Sequence, residues 1–140
     1  MISLKRLYEY KEEPSELDAS IKMIITKKGD PIYKKIKHIF SKHGEAFIDI
    51  DSRIIYIDGE EAEREGWSND HFLFVQAHEI AHLRMGHTPE NRDETMADWW
   101  AVCYLWDKGY KDSAKLGIKQ FEYRNGVKFN EYNASMIDEQ

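Results

Sequence analysis

Cysteine is almost absent from this sequence, since Cys103 is the single cysteine among 140 residues. An internal disulfide and a zinc site built on several cysteines are therefore excluded. Any bound metal would have to be held by histidine and carboxylate side chains. Basic residues are also in the minority, because 20 Lys and Arg stand against 26 Asp and Glu, a net charge of −6. This balance argues against strong nucleic-acid binding through phosphate neutralisation.

Long apolar runs are missing as well. No stretch approaches the roughly 20 residues that a membrane-spanning helix needs, and residues 1–13 lack the apolar segment of a signal peptide. The chain still contains 41% hydrophobic and 13% aromatic residues, enough for a real core. We therefore expect a single cytoplasmic domain over residues 1–140, with an ill-defined arm at residues 1–13 and an irregular tail at residues 127–140.

Apolar spacing and capping residues predict a mostly helical chain. The predicted helices cover residues 15–28, 31–43, 71–85, 92–108 and 112–123. Two β-branched and aromatic runs, residues 47–50 and 54–57, predict a hairpin around Asp51-Ser52. Residues 59–66 are interpreted as an acidic, solvated connection. The expected fold class is α+β, with a small hairpin or sheet packed by the helix over residues 71–85.

The segment His78-Glu79-Ile80-Ala81-His82 is an H-E-x-x-H motif inside that helix. Four residues correspond to about 400° of helical rotation, so both imidazoles project from one face. Two neutral imidazoles one turn apart can share a tetrahedral zinc ion. Glu79 lies one step round the helix, where it can act on water as a general base. The plainer alternative is two core histidines beside a solvated glutamate.

Two carboxylates follow on the tryptophan-rich helix over residues 92–108. Glu94 is twelve residues beyond His82, which leaves room for a turn and an antiparallel return, so it could supply the third zinc ligand. Asp98, one turn further, is suited to accept the free ring N–H of a ligand histidine. Two alternatives stay open: Glu94 could form a capping box with Asn91, and Asp98 could be an ordinary buried acceptor.

The segments AHEIAHLRMGH and DETMADWWA together resemble the gluzincin clan of zinc metallopeptidases, and most of all its ImmA/IrrE family. HtpX-type peptidases, which share the second element, are a near alternative. The resemblance covers about a quarter of the chain. It implies a minimal zincin-like domain that hydrolyses peptide bonds with one Zn²⁺, held by His78, His82 and Glu94, and with Glu79 as the catalytic base.

His87 is the alternative third ligand. Metzincins place a third histidine ten residues after the first, whereas His87 is nine after His78, and Met85 stands where those enzymes have a glycine. We therefore favour a position for His87 at the rim of the site or behind the ligands. A peptidase also needs a group that stabilises the oxyanion. The candidates are Tyr110, Tyr123, Arg124, Tyr132 and His87, and the sequence does not choose among them.

The resemblance also bears on partners. Zincins hold an extended substrate against a strand at the sheet edge, and residues 53–58, from Arg53 to Asp58, are the candidate strand. The expected substrate is a protein or peptide, and ImmA/IrrE-like proteins often act on a repressor or another regulatory protein. The alternative function is a zinc-stabilised regulatory or partner-binding protein without catalysis. A third, proteolysis of DNA–protein crosslinks, would require a basic surface, which the charge balance disfavours.

Overall fold

A computed structural model describes residues 10–87 and 93–130 of the chain. Within these residues there are four strands and five helices. The strands are β1 (Lys11–Pro14), β2 (Lys22–Thr26), β3 (Ala46–Asp49) and β4 (Ile54–Asp58). The helices are α1 (Pro31–His43), α2 (Gly59–Glu65), α3 (Asn69–Arg84), α4 (Glu94–Asp107) and α5 (Lys111–Asn125). The fold is α+β and mostly helical, as the sequence predicts.

The four strands form one mixed sheet in the order β1-β2-β4-β3. The outer pairs, β1 with β2 and β3 with β4, are antiparallel, and the central pair β2 and β4 is parallel. The hairpin of β3 and β4 is therefore confirmed. Its connection contains no glycine, and Arg53 adopts the positive φ of 58° that the turn needs.

The hairpin's place in the sheet corrects one expectation. The segment Arg53 to Asp58 was expected at the sheet edge, but β4 is a central strand with β2 on one side and β3 on the other. Ile55 and Ile57 of β4 lie on the same face of the strand and are both fully buried, as expected for the core-facing side of a central strand. The edge strands are β1 and β3, and β3 contacts α3.

Helices cover both faces of the sheet. One face contributes Ile25, Ile55 and Ile57 to a core shared with the buried residues of α3 and α4. On the other face Phe47 packs edge-on against Phe40 of α1, with ring centroids 5.2 Å apart. Helix α1 itself begins at Pro31 after Asp30 and ends before Gly44, as predicted. The sheet thus forms a layer between α1 and the α3–α5 helices.

The predicted helix over residues 15–28 is wrong, because this region contains β2. Met23, Ile24 and Ile25 are buried consecutively, whereas an amphipathic helix would bury only one side. Isoleucine and threonine favour a strand that is covered on both faces. Residues 11–13 likewise belong to β1 rather than to an ill-defined arm, and residues 1–9 lie outside the described residues.

The connection between β1 and β2 is held by side chains rather than by helical hydrogen bonds. Asp18 accepts from the backbone and hydroxyl of Ser20 and from Arg84 of α3, at 2.7–2.9 Å. Ser15 donates to the fully buried Gln76 of α3 at 2.7 Å. These bonds stabilise a compact loop, since Asp and Ser compete for the local backbone groups that a helix would use.

Residues 59–66 were expected to be an irregular connection, and they form helix α2 instead. Asp58 is its N-cap and accepts from the backbone N–H groups of Glu60 and Glu61. The helix ends at Gly66 in the left-handed conformation, with φ of 68°. An N-cap aspartate followed by glutamates in the first turn is a sufficient local signal for a short helix.

The remaining helices agree with the sequence to within a few residues, since α3 begins after the Ser68 N-cap and α5 extends to Asn125. The start of this helix predicted at residue 92 lies outside the described residues, and α4 is observed from Glu94 with Asp93 as its N-cap. Of the predicted irregular tail, Phe129 packs against Phe121 of α5, and residues 131–140 lie outside the described part. None of the described helices is long and apolar enough to cross a membrane.

Candidate metal centre

Helix α3 carries the H-E-x-x-H motif in its last two turns. His78, Glu79 and His82 are all buried, with exposed fractions of 7%, 3% and 2%. Their nitrogen and carboxylate ligand atoms lie within 4.8 Å of one another. Burying three such groups together is costly unless they bind something or one another. The described residues thus contain a His-Glu-His group that could hold a metal ion.

Helix α4 brings both of its predicted carboxylates to this group. Glu94 Oε2 lies 2.8 Å from His78 Nε2, and Glu94 Oε1 lies 3.3 Å from His82 Nε2. The two Nε2 atoms are 3.1 Å apart. On the other side of its ring, the Nδ1–H of His78 donates to Asp98 Oδ1 at 2.7 Å. Glu94 therefore lies where a third ligand would be, and Asp98 lies behind His78.

The observed contacts bear on the two alternative roles, a capping role for Glu94 and an ordinary buried acceptor for Asp98. Asn91, the partner in the capping box considered for Glu94, lies outside the described residues, and the observed N-cap of α4 is Asp93, which accepts from the N–H of Met96 at 2.9 Å. Asp98 is 1% exposed and also accepts from Arg124 Nη1, 3.2 Å from each of its oxygens. It is thus a buried acceptor whose donors are an imidazole and a guanidinium.

The electrostatics of the site favour a positive charge between these groups. Burial alone would lower the pKa of His78, but the hydrogen bonds with Asp98 and Glu94 outweigh it and raise that pKa to about 9. Burial would raise the pKa of Glu94, but its hydrogen bonds with His78 and His82 hold that pKa well below the ordinary value. Carboxylates that stabilise a proton here would also stabilise a divalent cation.

His87 lies on the far side of His82. Its Nδ1 is 2.8 Å from His82 Nδ1, the ring nitrogen that faces away from His78 and Glu94. His87 therefore does not contact Glu94 together with the Nε2 atoms of His78 and His82. It lies behind His82, on the side of that ring that faces away from His78 and Glu94.

A cavity of about 230 Å³ opens beside the motif. Besides His78, Glu79 and Glu94, its lining includes Phe74 and Val75 of α3, Ala46 of β3, and three polar side chains. These polar residues are His43, Glu45 and Arg124. The sequence identified Arg124 only as one oxyanion candidate. No local pattern marks His43 and Glu45, because they are more than 30 residues from the motif.

The structure separates the oxyanion candidates. Arg124 lines the cavity, whereas Tyr110 lies at the opposite end of α5, about 20 Å away for 14 helical residues. Tyr123 is 89% exposed, and Tyr132 lies outside the described residues. His87 lies behind His82 and does not line the cavity. Arg124 is therefore the candidate whose side chain lies beside the cavity.

Comparison with protein-family models, curated proteins and solved structures finds no match to this chain.

Proposed function

We propose that the protein is a zinc-dependent metallopeptidase of the gluzincin type, built as a minimal zincin-like domain and similar to the ImmA/IrrE family. The observation that carries the proposal is the convergence of His78 Nε2, His82 Nε2 and the Glu94 carboxylate on one point beside a cavity. Glu79, buried in the same group, supplies the fourth functional side chain.

The donor set fits zinc. Zinc prefers four-coordinate sites with imidazole and carboxylate ligands, and catalytic sites contribute three protein ligands. Ligand atoms about 2.0–2.1 Å from a tetrahedral ion are about 3.3 Å apart. The separations among His78 Nε2, His82 Nε2 and the nearest Glu94 oxygens are 3.1, 2.8 and 3.3 Å. These atoms would need to move by only a few tenths of an ångström to share one ion.

Each side chain then has a separate task. When bound, zinc would act as a Lewis acid that acidifies water and polarises the scissile carbonyl. Glu79, which is not needed as a ligand once Glu94 takes that place, would accept the proton from water and return it to the leaving amine. Asp98 would hold His78 in the tautomer that leaves its Nε2 lone pair free. Arg124 would donate to the oxygen on which negative charge develops.

The substrate we propose is an extended protein or peptide segment. The edge strand β3 contacts α3, and Ala46 at its start lines the cavity. A peptide that added a strand to β3 would have its backbone next to the motif, which is the β-augmentation expected on the sequence but on β3 rather than β4. In the ImmA/IrrE-like interpretation, the cleaved segment belongs to a regulatory protein such as a repressor.

Metal content and two substitutions test the proposal. Purified protein should contain about one zinc per chain, and His78→Ala should lose it. Glu79→Gln should retain zinc but lose cleavage of an unfolded protein substrate by at least about 100-fold, because general-base catalysis contributes about that much. The matched control is Glu13→Gln on the edge strand β1, where the glutamate is exposed.

Two results would contradict the proposal at different points. If the wild-type chain takes up no zinc, the metal centre is refuted. If zinc is bound but wild type and Glu79→Gln cleave equally, the peptidase activity is refuted, and the alternative of a metal-stabilised partner-binding protein becomes the better interpretation.

A further inference from the structure

Helix α3 ends in a Schellman motif that places one histidine behind another. In this motif the residue after a left-handed glycine donates its N–H to the carbonyl five residues back. Here the N–H of His87 donates to the carbonyl of His82 at 2.9 Å, and the N–H of Gly86 donates to that of Leu83 at 3.2 Å. Gly86 has the required positive φ of 69°. The backbone therefore brings residue 87 back onto residue 82.

The side chains at these two positions normally make an apolar contact. In this protein both are histidines, and their Nδ1 atoms are 2.8 Å apart, within hydrogen-bond distance. His82 is 2% exposed, and its Nε2 lies 3.1 Å from His78 Nε2. The two nitrogens of the His82 ring thus face different partners, one toward the proposed ligands and one toward His87.

We propose that His87 is a positioning residue for the metal ligand His82, held in place by the helix-ending turn at Gly86. The inference rests on the proposed metal site. Once His82 Nε2 gives its lone pair to a metal, its Nδ1 must carry the proton and donate it. His87 Nδ1 accepts that hydrogen bond, which fixes both the tautomer and the ring orientation of His82.

The two proposed ligand histidines would then each have a hydrogen-bond partner at Nδ1, but the two partners differ in kind. The Nδ1–H of His78 donates to a buried carboxylate, Asp98, that belongs to another helix. The Nδ1 of His82 lies within hydrogen-bond distance of the imidazole of His87, which follows the end of the same helix. The contact between His82 and His87 corresponds to the sequence pattern His82-x-x-x-Gly86-His87, because the spacing that forms the turn also places the two rings together.

The test is the zinc affinity of the full chain, measured by competition with a chelator. His87→Ala should weaken zinc binding by about 10–100-fold, the usual effect of removing the partner of a ligand histidine. His87→Asn should restore most of the affinity, because an asparagine side chain can place its carbonyl oxygen near the position of Nδ1. His38→Ala, the same change at an exposed histidine of α1, should leave the affinity unchanged.

A change in the turn separates positioning from simple loss of a side chain. Gly86→Ala keeps His87 but strains the left-handed residue that returns the chain, and it should also weaken zinc binding. In addition, NMR of the zinc-loaded wild type should show a slowly exchanging Nδ1 proton on His82 that His87→Ala loses. Helical content of the metal-free variants, measured by circular dichroism, should match that of the wild type.

Distinct outcomes separate this inference from the proposed function. A wild type that binds zinc with the same affinity as His87→Ala would overturn the positioning role and leave the metal site standing. An Asn variant as weak as the Ala variant would also overturn it, because the restored hydrogen-bond acceptor would then have no effect on zinc affinity. A wild type that binds no zinc would overturn both proposals.

Discussion

Substitution of Gly117 by alanine should destabilise the protein even though alanine is the better helix former. Gly117 lies in the middle of α5, where the helix crosses α3 and α4. A Cβ atom added there would lie 2.7 and 2.8 Å from two ring carbons of Phe74 and 2.9 Å from a methyl carbon of Val102. These distances are well below van der Waals contact, so one of the three helices must shift.

The expected magnitude follows from two opposing terms. At an unobstructed position in a helix, replacement of glycine by alanine stabilises by about 1 kcal/mol. Overpacking of a core with an extra methyl group costs about 1–3 kcal/mol. The balance at Gly117 is a net loss of about 1 kcal/mol, which lowers the Tm by about 3–5 °C for a domain of this size.

Thermal and urea unfolding followed by circular dichroism would measure this loss. The pair Lys119→Ala and Lys119→Gly, at an exposed position of the same helix, gives the alanine preference without the packing term. Val102→Ala should cost less stability in the Gly117→Ala background than in the wild type, because it removes one of the clashing methyl groups. At position 119 the variant with alanine should have a higher Tm than the variant with glycine. If Gly117→Ala raises the Tm by a similar amount, the close approach of the helices is refuted.

The remaining predictions concern three carboxylates outside the proposed ligand set. Asp98→Asn should lower zinc affinity by about 10–100-fold, measured by chelator competition, because it weakens the acceptor for the Nδ1–H of His78; an unchanged affinity would refute its orienting role. The hydrogen bonds from Ser20 and Arg84 lower the pKa of Asp18 from 3.8 to about 2. The contribution of the Asp18 carboxylate to the free energy of unfolding is therefore fully present above about pH 4 and is lost as the pH falls through 2. Asp18→Asn should cost about 1 kcal/mol in urea unfolding at pH 7 and almost nothing near pH 2. A cost that does not vary with pH would refute this assignment. Asp58→Ala should cost about 1 kcal/mol in the same assay through the lost N-cap of α2, and a neutral effect would show that α2 is held by packing alone.

The parts of the site that lie on one helix could be predicted from the sequence. A spacing of four residues determines that His78 and His82 share a face, and the same spacing places Glu94 and Asp98 on one face of α4. The helix-to-helix pairing of these faces was also predictable, because the short connection between α3 and α4 favours antiparallel neighbours. These inferences depend on local geometry, and local geometry is what the sequence specifies most directly.

The environment of the site could not be predicted in the same way. His43, Glu45 and Ala46 reach the cavity because β3 is the edge strand next to α3. That position depends on the insertion of β2 beside β4, and the apolar spacing in residues 15–28 predicted a helix there. A short apolar run such as Met23-Ile24-Ile25 fits both the periodicity of a helix and that of a strand. Only the burial of both faces of the segment, which is a tertiary property, decides between the two.

The two histidines proposed as ligands also differ in what would disturb them. The support of His78 is long-range, because Asp98 belongs to α4 and is itself held by Arg124 at the end of α5. The support of His82 is local, because the residue behind it follows in the same turn. A change that moves α5 should therefore act on the His78 side of the site, while the contact between His82 and His87 is retained. Since Arg124 also lines the cavity, the packing of α5 positions a positive charge beside the proposed active site.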